Sequence, residues 1–266
     1  MELLKDICGQ FGVELNDEQI SQFNTYYEML IEWNKVMNLT SITEKKDVMY
    51  KHFADSLLIA KFKDMKEPLK VIDVGTGAGF PGIPLKIAFP ELKMTLMDSL
   101  QKRLTFLDEV IKTIGITDIE TVHMRAEDGG KNMKYREQYD LVVSRAVSAL
   151  AALSEFCLPF AKVGGYFIPY KSVALNENDK EEMQSGKKAI RILGGQVENI
   201  FTTNIPEIDA ERKFVFVKKI QSTDMKYPRK AASPAPFSST PRSVSIDSSS
   251  FTRQLSSLSA SRISFA

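Results

Sequence analysis

Val71-Ile72-Asp73-Val74-Gly75-Thr76-Gly77-Ala78-Gly79-Phe80-Pro81-Gly82 is the stretch on which the fold turns. From residue 69 a short, mostly apolar run stops at glycine, the pattern of a strand buried in a parallel sheet. Three glycines then alternate, and a helix begins with prolines near its first turn. Glycine permits sharp turns and lets a ligand approach main-chain N–H groups closely. The first turn of a helix presents unpaired N–H groups and the positive end of its dipole. Prolines there cost few hydrogen bonds, because those N–H groups have no helical partner in any case.

Outward from this loop, further strand-like runs occupy residues 93–97, 119–123, 139–144 and 165–169. Helical patterns at 81–89, 101–114, 149–161 and 178–193 separate them. Such alternation predicts a mostly parallel sheet with helices on both faces. Two last runs, 196–203 and 213–219, have no helix between them and predict a closing antiparallel pair.

Upstream the texture is helical. Asn16-Asp17-Glu18-Gln19 offers an N-cap with Gln three residues on. Ile20, Phe23, Tyr27, Leu30, Ile31 and Met37 follow on one helical face, and Met49, Phe53, Leu57 and Ala60 keep phase in a second helix over 45–62. The expected organisation is a helical extension over 1–66, an α/β domain over 67–231, and a tail over 232–266. Serine and Pro234, Pro236 and Pro241 dominate that tail, which reads as disordered.

Composition narrows the function classes. The chain has 266 residues, 43% hydrophobic and 26% charged, enough apolar surface for a real core. No apolar run of about 18 residues predicts a membrane span, and the first residues lack the basic-then-apolar pattern of a secretory signal. Cys8 and Cys157 match no metal spacing, so a reducing, cytoplasmic setting is expected, with no bound metal. A net charge of +1, from 35 Lys+Arg against 34 Asp+Glu, argues against holding nucleic acid by bulk charge. It leaves room for a local basic patch.

Two loop readings compete. Residues 77–82 fit the dinucleotide fingerprint G-x-G-x-x-G, which would make the chain a nicotinamide-dependent oxidoreductase. The longer pattern Asp73-x-Gly75-x-Gly77-x-Gly79 fits the S-adenosylmethionine loop of class I methyltransferases better. Asp73 could then order the loop and face the cofactor's amino group. Asp98, at the end of the second strand, would take the ribose hydroxyls. The closing strand pair and the lack of a second mononucleotide-binding half favour the methyltransferase. The blandest alternative is a glycine turn that only packs strand on helix.

Joined to its neighbours, the loop resembles a known family. Trp33-Asn34, Met37 to Ile42, His52-Phe53-Ala54-Asp55-Ser56-Leu57, Asp73 to Pro84, Asp98 to Arg103, Arg125-Ala126-Glu127-Asp128, Ser144-Arg145-Ala146 and Tyr170-Lys171 carry the likeness. They resemble the bacterial 16S rRNA guanine-N7 methyltransferases, the glucose-inhibited division protein B family, from near the N-terminus to about residue 231. The resemblance implies a Rossmann-like class I S-adenosylmethionine-dependent fold with a helical N-terminal extension. It implies methyl transfer to N7 of one guanine in 16S rRNA. The expected substrate is the RNA or a small-subunit assembly intermediate, and the expected state is a monomer without membrane contact. The resemblance also implies cofactor contacts from Gly75, Phe80, Ala126, Glu127 and Arg145; the loop argument adds Gly77, Gly79 and Asp98. The chain departs from the family at Ala232, where the family commonly has Gly and a short basic end.

Guanine N7 carries a lone pair and no proton, so no general base is expected and none is nominated. Arg103, Arg125, Arg145 and Lys171 fall near the carboxyl ends of strands, where substrate binds in open α/β sheets. Arginine grips phosphate or guanine O6. Lys226, Arg229 and Lys230 form a weaker basic cluster. His52 and His123 read as structural, and Trp33, Tyr26 and Tyr27 as helix packing. A reading from another class is a non-catalytic RNA-binding assembly factor on the same fold.

Overall fold

A computed structural model describes residues 1–145, 148–172, 178–205 and 211–229. Strands β1 (Lys70–Val74), β2 (Lys93–Asp98), β3 (Ile119–His123), β4 (Tyr139–Arg145), β5 (Ala161–Ser172), β6 (Gly195–Asn204) and β7 (Glu211–Lys219) form one sheet in the order β3-β2-β1-β4-β5-β7-β6. The first five are parallel, and β7 runs antiparallel to both β5 and β6. The Rossmann-like sheet with its antiparallel closure is thus present. Because β1 lies between β2 and β4, the chain reverses its direction of travel at β1. A crevice opens there at the carboxyl ends of the strands.

β5 is longer than the pattern over 165–169 suggests. It begins at Ala161, and a register shift between Tyr139 and Leu141 of its neighbour absorbs the extra residues. The helix expected over 149–161 stops early, as α8 (Leu150–Cys157) followed by a 3-10 turn, Leu158–Phe160. Pro159, which lacks an N–H, sits in that turn. The tail over 232–266 lies outside the described residues, as do Lys230 and Ala146.

The two faces of the sheet carry different loads. Ile72, Val142, Phe167 and Val217 pack with α8 and α9 (Asn178–Ile192) on one side. On the other, Val71, Leu96, Val143 and Ile168 meet α5 (Gly82–Ala88), α6 (Gln101–Ile114) and the N-terminal helices α1 (Glu2–Gly9) and α2 (Asp17–Met37). The expected capping box forms: Asn16 Oδ1 accepts from Gln19 N–H at 2.8 Å, and Gln19 Oε1 accepts from Asn16 N–H at 2.9 Å. The extension shares its core with the sheet through Tyr26, whose ring lies 5.4 Å from Phe53 and 5.5 Å from Phe80.

The second N-terminal helix is not regular. α3 (Lys45–Val48) runs into a π-turn over Met49–Ala54, then α4 (Asp55–Leu57) and a 3-10 turn, Leu58–Lys61. Asp55 N–H turns to the carbonyls of Tyr50 and His52. The Lys51 carbonyl between them accepts instead from Arg145 Nη1 at 3.1 Å, at the end of β4. Wide turns of this kind recur where a helix serves a site.

Beyond β7 the chain crosses to α7 (Ala126–Gly129) and α8. Buried Arg136 donates to the carbonyls of Gly130, Thr223 and Tyr227, and Glu155 accepts from Arg229. Pro228 presses on Gly130, where a Cβ would stand 2.9 Å from the proline ring. This strap fixes two walls of the crevice.

Gly79 tests the seat of the loop on the helical layer. Its φ is +99°, and an added Cβ would stand 2.8 Å from Tyr26 Oη and 2.9 Å from Leu107 Cδ2. Gly79→Ala combines left-handed strain with overpacking and is expected to cost about 2–4 kcal/mol of stability. Chemical denaturation measures this; an unchanged midpoint would show that the layer yields.

Candidate functional site

The loop after β1 is tied to the end of β2 by its own backbone. Gly75 and Thr76 N–H donate to Met97 O at 2.8 and 3.1 Å, and Gly77 N–H donates to Asp98 Oδ2 at 2.9 Å. These bonds require a sharply folded loop, and Gly75 and Gly77 adopt φ of 72° and 61° to make it. Asp73 holds the loop from below. Its Oδ2 accepts from Thr76 Oγ1 at 2.7 Å and Gly82 N–H at 2.9 Å, while Oδ1 is buried without a partner among the described residues. Burial pushes its carboxyl up to about 6. The expectation that Asp73 also faces a cofactor needs correcting: the side chain turns inward to the loop and does not line the cleft.

Above the loop lies a cleft of about 480 Å³, within the usual range of small-molecule sites. Gly75, Gly77 and Ala78 make its floor, and Met97, Asp98 and Arg103 one wall. Met124, Ala126, Leu153 and Phe156 close the next side, from α7 and α8. Phe80, Arg145, Leu39, Thr40 and His52 form the remaining end, the last three from the helical extension. Open space stands over Gly77: an added Cβ would meet no atom within 4 Å.

Gly75, Gly77, Phe80, Asp98, Ala126, Arg145 and Arg103 therefore meet around one cavity. Asp98 is 3% exposed, and besides Gly77 it accepts from Leu100 N–H at 2.9 Å and Arg103 Nη1 at 3.3 Å. Four other candidates lie off its walls. Gly79 faces the helical layer, where Tyr26, Leu107 and Ile83 crowd it. Glu127 is half-buried in the first turn of α7, beside wall residue Ala126. Arg125 is exposed at the N-cap of that helix. Lys171 pairs with Glu182 at 2.7 Å and donates to Ser148 O at 3.1 Å.

The extension contributes residues whose place the sequence pattern did not reveal. Tyr26 Oη donates to Ala78 O, so the helix-packing reading of Tyr26 needs extending: it also props the glycine loop. His52 stacks on Phe80 with ring centroids 4.5 Å apart, and its Nε2 lies 2.8 Å from Thr40 Oγ1. Burial and then the Arg145 charge lower its pKa to about 3, so the imidazole stays neutral. Arg145 sits over the Phe80 ring at 5.0 Å and pairs with Asp55 at 2.9 Å. Thr40, His52 and Asp55 all fall in motifs that carried the resemblance, which was the available signal. Their spacing could not show that they converge.

Two titratable groups of the cavity are already engaged. Its carboxylate is tied by three donors and its imidazole is a very weak base. Among the described residues, no group of three His, Cys, Asp or Glu is placed to hold a metal ion, and no helix is long and apolar enough to cross a membrane. Cys8 and Cys157 are both buried and unbridged.

Known proteins agree with this geometry. The chain is 47% identical over 234 residues to the ribosomal RNA small subunit methyltransferase G of Bacillus cytotoxicus, covering 88% of this chain and 96% of that one. It is 50% identical over 234 residues to the protein of that name from Acetivibrio thermocellus, covering 88% and 94%. Among solved structures, a SAM-dependent methyltransferase from Aquifex aeolicus matches with a TM-score of 0.50 at 16% identity, over 68% of this chain and 96% of that one. A putative transferase from Pyrococcus horikoshii also matches at 0.50, with 18% identity over 62% of each chain. These two establish the fold alone. The family described as rRNA small subunit methyltransferase G, GidB, matches residues 19–215, and to that family this chain belongs.

Proposed function

We propose that the chain transfers a methyl group from S-adenosylmethionine to N7 of one guanine in 16S ribosomal RNA, within the RNA or a small-subunit assembly intermediate. It does so in the cytoplasm and as a monomer. The observation that carries this reading is the bare floor at Gly77 beside the Asp98 carboxylate, a cradle that any side chain would fill.

The residues present suit the cofactor. Gly75 and Gly77 let it approach the main chain, and Asp98 Oδ1, which accepts one hydrogen bond from Leu100, has capacity for a ribose hydroxyl. Ala126 and Met124 offer apolar surface for an adenine ring, with Glu127 one residue on for its amino group. Phe80 and Arg145 face the other end, and Gly79 serves indirectly by seating the loop. When bound, S-adenosylmethionine supplies a methyl carbon activated by a sulfonium. The protein has no proton to remove at guanine N7. Its task is to hold base and donor in line and to exclude water, catalysis by proximity and orientation. Leu39, Phe80 and Phe156 supply the apolar surface that keeps water out. Neutral His52 adds no second positive charge beside the donor. On the RNA side, half-buried Arg103 and exposed Arg125 serve phosphate, and Lys171 does so by exchanging Glu182 for it.

Labelled-methyl transfer to unmodified bacterial small-subunit RNA, followed by mapping of the base, tests the reading. Label at a single guanine N7 is expected; binding of cofactor and RNA without transfer would leave an assembly factor. Gly77→Val is expected to abolish cofactor binding in calorimetry, since the branched side chain occupies the open floor. Asp98→Ala is expected to weaken cofactor binding by about 1–3 kcal/mol, the cost of losing charge-assisted hydrogen bonds.

His52 predicts a pH dependence of stability. Its folded pKa, about 3, lies below the ordinary value of 6.5. Between those values the unfolded chain takes up a proton that the folded chain refuses. The stabilisation is complete above 6.5 and is lost as pH falls toward 3. Relative to His52→Phe, the unaltered chain should lose stability on acidification by up to about 1.4 kcal/mol per pH unit, measured by denaturant unfolding at stepped pH.

A further inference from the structure

Asp55 is 1% exposed, on the helical extension, and does not itself line the cleft. Its two oxygens hold two arginines from different strands. Oδ2 accepts from Arg145 Nη1 at 2.9 Å, at the end of β4, and Oδ1 accepts from Arg212 Nε at 2.6 Å, at the start of β7. The Arg145 side chain is only 14% exposed. A guanidinium so far removed from water needs a counter-charge. The other carboxyl that senses it, Asp73, is turned to Thr76 and Gly82. Asp55 is therefore the only carboxylate among the described residues that pairs directly with Arg145.

The arrangement fixes direction as well as charge. Arg145 Nη1 donates both to Asp55 and to the Lys51 carbonyl exposed by the π-turn. Nη2 lies 3.2 Å from His52 Nδ1, and the plane rests over Phe80. Arg145 Nε–H and its second Nη2–H have no protein acceptor among the described residues, and the side chain lines the cleft. A neighbouring bond anchors α4, which carries Asp55: Tyr170 Oη, on β5, donates to Ser56 O at 2.8 Å. Among the described residues two guanidiniums share the Asp55 carboxylate, and Arg145 keeps donors to spare on the cleft side.

We infer that Asp55 is a positioning residue for the methyl-transfer site: acting through Arg145, a carboxylate of the helical extension aims the guanidinium that meets the anionic part of the cofactor. The inference rests on the S-adenosylmethionine reading of the cleft. It makes the extension a component of the cofactor site as well as a cap on the sheet.

A double-mutant cycle on S-adenosylhomocysteine affinity, read by titration calorimetry without RNA, tests it. Asp55→Asn and Arg145→Ala are each expected to weaken binding about tenfold or more, and the double variant to bind within about twofold of Arg145→Ala alone. A merely structural Asp55 would instead give losses that multiply, and that result overturns the inference, as does unchanged affinity in Asp55→Asn. Asp55→Glu keeps the charge but displaces it by one methylene, and it serves where Asp55→Asn does not fold. It is expected to weaken binding in the unaltered background and to have no effect beside Arg145→Ala; an effect in both overturns the inference. Failure of the unaltered chain to bind S-adenosylhomocysteine at all would overturn the reading of the cleft, and the inference with it. Multiplying losses in a chain that binds overturn the inference alone.

Discussion

The hydrogen bonds from the Gly75, Thr76 and Gly77 amides to the end of β2 are the constraint on which the site depends. They hold the loop after β1 against its neighbouring strand, so the helix that follows starts at a fixed point above the sheet. Three left-handed glycines are needed to make that bend, and the buried Asp73 carboxylate locks it to Thr76 and Gly82. Asp73 carries a cost. One of its oxygens is unpaired and its carboxyl titrates near 6, so the loop is secured by a group that burial disfavours. Such expense is common where geometry rather than stability is the product.

The helical extension is bound into this arrangement at three points. Tyr26 holds the Ala78 carbonyl, His52 stacks on Phe80, and Asp55 with the Lys51 carbonyl holds Arg145. Each bond joins a residue of the first sixty to the carboxyl end of a strand or the loop beside it. The irregular turn at Met49–Ala54 makes the last of them available, because it releases a carbonyl that a regular helix would have used. The strap after β7 acts in the same way on the opposite side, pinning α7 and α8 through Arg136 and Glu155. The cleft is shaped by the segments that flank the sheet on either side in the chain.

Much of this was legible in advance. Sequence patterning located every strand and four of the five α-helices of the α/β region, because apolar runs and a 3.6-residue repeat survive in any context, whereas the single turn of α7 is too short to show one. It missed where α8 yields to a 3-10 turn and where β5 begins, since those boundaries depend on Pro159 and on the register with β4. Asp98 was placed correctly beside the loop because strand ends in a parallel sheet share one edge. Lys171, also at that edge, is engaged by Glu182 on a helix that the spacing does not connect to it.

Gly77 and Gly79 show the division most clearly. By itself the sequence determined that this bend must be glycine-rich, that an acidic residue precedes it, and that the chain is an α/β protein with a helical extension. It treated the two glycines alike. Only the tertiary structure decided that Gly77 faces open space at the cleft floor while Gly79 is packed against Tyr26 and Leu107. The same holds for Asp55, which reads as one polar residue on a helix until two arginines from distant strands arrive on either side of it. Local conformation follows from neighbours in the chain, but which surface a residue finally meets is set by long-range packing, and short-range spacing carries no record of that.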